Sequence, residues 1–125
     1  MECYQEAAPL DSLKLAHDIV DIVEDRKAED ILLLDLRPDQ LIADFFIICS
    51  GDNERHLRAL IDTVRLDVKD KHSKLPFANE GTAESGWVVM DYGDVVAHFF
   101  APEKRKYYTL EDLWDAAGRV MLRIQ

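Results

Sequence analysis

Apolar residues recur along this chain at two different spacings. From Leu13 through Ala16, Ile19, Val20 and Val23 the interval is three to four residues, the period of one helix face. Pro9 closes a polar start and Asp11 or Ser12 stands where an N-cap belongs, so this spacing predicts a helix that fades near Arg26. Residues 1–10 are expected to be a flexible lead-in to a single domain over 11–125. ILLLDL (Ile31–Leu36) is a short continuous apolar run stopped by Arg37-Pro38, which suits a buried strand. ADFFIICS (Ala43–Ser50) predicts a second strand, ending at Gly51-Asp52-Asn53. From Asn53 to about Lys71 the helical period returns: Leu57, Leu60, Ile61, Val64 and Val68 share one face, while Arg55, Arg58, Asp62, Arg65 and Asp67 mostly look to solvent.

Pro76 and the small polar run NEGTAESG read as a loop. Two apolar runs, Trp87–Asp91 and Asp94–Phe100, then flank Tyr92-Gly93, and a short connection with Gly in the second place predicts a hairpin. Thr109, with Asp112 three residues on, starts a third helix whose stripe is Leu110, Leu113, Trp114, Ala117, Val120 and Met121. The order is helix, strand, strand, helix, strand, strand, helix. Interleaving without strict βαβ alternation predicts an α/β fold: a mixed sheet flanked by helices.

The chain has 125 residues, enough for one core without staples. No uninterrupted apolar run approaches the roughly 20 residues of a membrane span. MECYQEAAPLD has neither a basic start followed by an apolar core nor an arginine-rich amphipathic character, so the protein is expected in the cytoplasm, with no membrane partner. Cys3 and Cys49 form no pair motif, and Cys49 reads as a small buried hydrophobe. Twenty-five acidic residues against fifteen basic ones give a net charge of −10, which disfavours direct nucleic-acid binding and suits a basic protein partner.

Catalytic chemistry finds little footing. Gly51 lies between a strand and a helix, as in a phosphate-cradling turn, but there is no GxGxxG and no Gly-Lys-Ser/Thr, so capping by Asp52 or Asn53 is the better reading. Nucleotidyl transfer would need two carboxylates on one face of a strand to hold magnesium. Asp91 and Asp94 are three residues apart across the hairpin turn and read instead as residues that stabilise the reversal. His17, His56, His72 and His98 fall on four separate elements with no His-x-His, and His98, between Val96 and Phe100, reads as a packed, hydrogen-bonded histidine. No catalytic residue, metal site or cofactor is expected. What remains is an interaction surface. Trp87, Tyr92, Phe99, Tyr107, Tyr108 and Trp114 crowd the last forty residues, beside Asp91, Asp94, Glu103, Glu111 and Asp112. Aromatics left partly exposed are the usual interface anchors, and Tyr92, in the turn, is the one least expected in the core.

ADFFIICSG with Arg55-His56, an EG before GWVVMDYGDVVAHFF, then a tyrosine and LEDLW together resemble the ribosomal silencing factor, or Iojap-related, family. The resemblance spans Leu10 to about Ala117; the family often has Tyr where Phe45 stands and Val where Ala97 stands. It implies a nucleotidyltransferase-like fold lacking the catalytic carboxylates. It also implies a non-enzymatic factor that binds the large ribosomal subunit through ribosomal protein L-fourteen, sterically blocks subunit joining and so represses translation. Organelle relatives act in large-subunit assembly, and members are often homodimers in isolation. The contact residues implied are Trp87, Asp91, Tyr92, Gly93 and Asp94, with Tyr108, Leu110, Leu113 and Trp114 beside them.

Overall fold

A computed structural model describes residues 2–37, 43–104 and 120–124. The elements run α1 (Glu2–Asp25), β1 (Glu29–Asp35), β2 (Phe45–Ser50), α2 (Glu54–His72), β3 (Ala78–Thr82), β4 (Trp87–Asp91), β5 (Val95–Phe100) and β6 (Val120–Ile124). The described strands form one mixed sheet in the order β3-β4-β5-β2-β1-β6, and among them only β2 and β5 run parallel. These central strands are buried at every position, as expected for a parallel pair covered on both sides.

Alternation sorts the sheet residues onto two faces. Ile31, Leu33, Phe45, Ile47, Cys49, Val88, Met90, Tyr92, Val95, Ala97 and Phe99 belong to the cluster that α1 and α2 cover. The helices contribute Leu15, Ile19 and Val23 from α1, and Leu57, Leu60, Val64 and Val68 from α2. Leu32, Leu34, Leu36, Phe46, Ile48, Val96 and Phe100 make a second cluster on the other face, with Trp87 and Val89 packed against it. Cys49 lies in the helix-side core, as its setting predicted.

Asn53 is the cap that starts α2: its backbone is extended and its side chain accepts the His56 N–H at 2.8 Å. His56 also ties the helix to its neighbours. Its Nδ1 accepts from the Asp52 N–H, and its Nε2 lies 2.9 Å from the Arg26 carbonyl beyond the end of α1. At the other end of α2, His72 Nε2 meets Asp18 of α1 at 2.8 Å. His56 and His72 therefore share one helix, where separate elements were expected. Both serve to clamp α2 onto α1.

Among the described residues the structure departs from the predicted elements in three places besides the β4–β5 turn. The first helix is continuous from Glu2, so its backbone passes through Pro9, and the stretch expected as lead-in is helical over residues 2–10. NEGTAESG is not all loop: Ala78–Thr82 pairs with β4 as strand β3. Its residues are almost all exposed, so no alternation marks it. Val120 and Met121 lie in β6, paired with β1, and not on a helix stripe. An apolar pair at a chain end fits either period, and the free hydrogen-bonding edge of β1 decides between them. The rest of the expected third helix lies outside the described residues.

Candidate functional site

The β4–β5 hairpin carries the five leading site residues, and its turn is shifted by one residue from the expected one. Tyr92 N–H donates to the Val95 carbonyl at 2.9 Å, so Gly93 and Asp94 are the two turn residues. Gly93 has φ 92°, in the first central position where this kind of turn requires glycine. Asp91 Oδ1 accepts from the Gly93 N–H at 2.7 Å, holding the reversal as the sequence suggested. The Asp94 carbonyl accepts from both the Asp44 and Phe45 N–H groups, pinning the turn to the start of β2. Asp94 itself is exposed, and Asp91 is half-buried.

Tyr92 corrects an expectation. It is only 4% exposed and belongs to the helix-side core, not to an interface surface. The alternation Val88, Met90, Tyr92 carries it there, since side chains two residues apart share a face. Burial pushes its hydroxyl up to about 12, with Arg65 pulling weakly the other way, and its oxygen has no hydrogen-bond partner among the described residues. Phe99 is likewise wholly buried.

Trp87 points to the opposite face, at the far end of β4 from the turn, and is half-buried. It stacks on Phe100 with ring centroids 5.1 Å apart. Its indole N–H donates to His98 Nδ1 at 3.2 Å, and His98 in turn lies 4.8 Å from the Phe46 ring. The His98 ring is 7% exposed, and burial draws its pKa down to about 4, so it is neutral at pH 7. With Nδ1 accepting, the hydrogen sits on Nε2, which is buried and unpartnered among the described residues. His98 is thus the packed, hydrogen-bonded residue its strand setting predicted.

Sequence reasoning missed Phe77. It is 82% exposed, just before β3, and its ring lies over Gly93: a Cβ added at Gly93 would sit 2.6 Å from Phe77 Cε2. Its N–H donates to the Asp91 carbonyl at 2.7 Å, which fastens it to the hairpin. A Phe that follows Leu75-Pro76 in a connecting stretch gives no periodic signal. The hairpin tip therefore presents Phe77, Asp91, Gly93 and Asp94 together, while Trp87 stands apart. Tyr108, Leu110, Leu113 and Trp114 lie outside the described residues.

Where a phosphate-cradling turn would sit, at the start of α2, a pocket of about 400 Å³ is lined by Asp52, Glu54, Glu84 and Glu103, with Lys104 the one cation among the described lining residues. That charge opposes a phosphate ligand. Among the described residues no group of three or more His, Cys, Asp or Glu side chains is placed to hold a metal ion, and no helix is long and apolar enough to cross a membrane.

A family model described as "Ribosomal silencing factor during starvation" matches residues 9–125. The chain is 40% identical over 94 residues to the ribosomal silencing factor of Bacillus subtilis, covering 75% of this chain and 79% of that one. It is 32% identical over 114 residues to the mouse protein named for mitochondrial assembly of the ribosomal large subunit, covering 87% of this chain but 50% of the longer mouse protein. A crystal structure of a Chromobacterium violaceum protein superimposes with a TM-score of 0.76 at 31% identity, over 82% of this chain and 85% of that one.

Proposed function

The chain belongs to the ribosomal silencing factor family, and from that premise we propose that it binds the large ribosomal subunit through ribosomal protein L-fourteen. Bound there, it blocks joining of the small subunit by occupying space and represses translation. The action is steric, with no catalysis and no cofactor, and takes place in the cytoplasm. In isolation the protein is a homodimer.

The observation that carries this reading is the charge of the hairpin edge. From Pro76 to Asp94 the chain holds four carboxylates (Glu80, Glu84, Asp91, Asp94) and no Lys, Arg or His. An anionic edge attracts a basic ribosomal protein and speeds their encounter. At its tip Phe77 supplies an exposed aromatic anchor, backed by a turn fixed through four backbone and side-chain hydrogen bonds. Asp91, Gly93 and Asp94 make the contact, Trp87 extends it along β4, and Tyr92 holds the turn from beneath. Tyr108, Leu110, Leu113 and Trp114 complete it from the closing segment.

Pull-down of purified L-fourteen by the wild type and by Trp87→Ala tests the contact, with circular dichroism as the control for folding. Loss of binding by a folded variant supports the reading; normal binding by that variant removes Trp87 from the contact. Failure of the wild type to bind removes the reading itself.

A second reading, a role in large-subunit maturation, is favoured by the name of the mouse relative. Immature large-subunit particles in a deletion strain grown in rich medium would support it. A nucleotidyltransferase is the least favoured, because carboxylates line the pocket where a nucleotide phosphate would sit.

A further inference from the structure

We propose that the outer edge of β3 is a strand-docking edge, and that its occupant is an extended basic segment of the ribosomal protein bound; this rests on the reading above and names how that contact is made. β3 closes one side of the sheet, pairing with β4 alone among the described strands. Asn79, Glu80, Gly81 and Thr82 are all exposed, so the backbone groups on the outer side of the strand are open to a partner.

Natural sheets blunt such edges with Lys, Pro or a bulge. Ala78–Thr82 has none of these: it contains neither Lys nor Pro, and its register to β4 runs unbroken from Ala78↔Asp91 to Thr82↔Trp87. The strand is also held in place before any partner arrives. Ser85 N–H donates to Thr82 Oγ1 and Ser85 Oγ–H to the Thr82 carbonyl, locking the β3–β4 turn, while Phe77 N–H fixes the other end to Asp91. An ordered edge loses little freedom when a strand is added to it.

Beside the edge, Glu80, Gly81, Trp87 and Val89 line a pocket of about 200 Å³. Gly81 has φ 83°, and a Cβ at that position would run into the Trp87 carbonyl oxygen, so glycine is what lets β3 lie this close to β4 beside the pocket. The indole and Val89 offer an apolar wall and Glu80 a carboxylate, a combination that takes the stem and charged head of a Lys or Arg. An added strand places alternate side chains on this face, so one basic residue reaches the pocket while its backbone pairs with β3. A second copy of this chain fits the edge less well. Two β3 strands paired antiparallel about their centres set Glu80 opposite Glu80, with no cation between Pro76 and Asp94 to offset the repulsion.

The test combines co-sedimentation of the wild type with isolated large subunits, calorimetric titration with purified L-fourteen, and NMR-detected amide exchange over residues 77–82. The expected result is co-sedimentation, slowed exchange of outward-facing β3 amides in the complex, and binding weakened roughly tenfold by Glu80→Lys and about threefold by Glu80→Gln at low salt. Both variants should melt as the wild type does, since Glu80 is exposed. If the wild type binds but its β3 amides exchange as before and Glu80→Lys binds normally, the docking edge is wrong while the ribosome reading stands. If protection appears on concentrating the protein alone, the edge belongs to a second copy and the basic occupant is overturned. If the wild type does not co-sediment, the ribosome reading falls first and this inference with it.

Discussion

β5 and β3 belong to the same sheet yet follow opposite rules. β5 is buried at every position and feeds both clusters, with Phe99 on the helix side and Phe100 on the other. β3 is exposed almost throughout and holds its place through backbone pairing with β4 and the turns at its two ends. Burial writes a pattern into the sequence, because each inward position must be apolar. Pairing alone writes none, because every residue but proline carries the same backbone groups. In this molecule stability resides at the centre of the sheet, and the proposed recognition surface is the edge that burial leaves alone.

Substitutions at Phe99 and at Phe77 should separate these roles most widely. Phe99→Ala removes a wholly buried ring and should lower the unfolding free energy by about 3–5 kcal/mol in urea denaturation. A loss below 1 kcal/mol would place the core elsewhere.

Acid should act on the centre of the sheet through one buried ring. His98 has its pKa lowered from 6.5 to about 4 by burial, so above pH 6.5 the ring is neutral folded and unfolded and gives no pH dependence. Below pH 6.5 the unfolded chain takes up a proton that the folded ring refuses. Stability therefore falls as pH drops towards 4, by about 2 kcal/mol at pH 5 from this group alone. In His98→Gln, denaturation curves across that range should lack this component of the slope, and an unchanged slope would assign it to other groups.

Gly93→Ala tests the joint between the two regions. It forces an L side chain to φ 92° and pushes against Phe77, so a loss of about 1–2 kcal/mol is expected in thermal unfolding. The smallest effect on stability belongs to Phe77→Ala, within about 0.5 kcal/mol because the ring is already in water. The same variant should weaken binding to large subunits by roughly tenfold. Unchanged binding would take Phe77 out of the contact.

Much of this division was legible in the sequence, for the reason just given. α2 was readable to within a residue of its cap, because Leu57, Leu60, Val64 and Val68 are buried along one face; Asp52 and Asn53 both suited the cap, and Asn53 is the one that fills it. β2, β4 and β5 were readable from their apolar runs, and Asp91 from the chemistry of turns. Tyr92 was misplaced although its position was available: counting by twos from Val88 puts it in the core. β3 and Phe77 were out of reach, since nothing buries them. Val120 and Met121 needed the knowledge that β1 had an edge to fill.

The most direct test of the central claim is a subunit-joining measurement. Purified small and large subunits are mixed at a magnesium concentration that permits association, with and without the protein, and resolved on a sucrose gradient. The account predicts that the joined ribosome peak shrinks as protein is added and that the protein travels with the free large subunit. An unchanged joined peak, with the protein left at the top of the gradient, would contradict it.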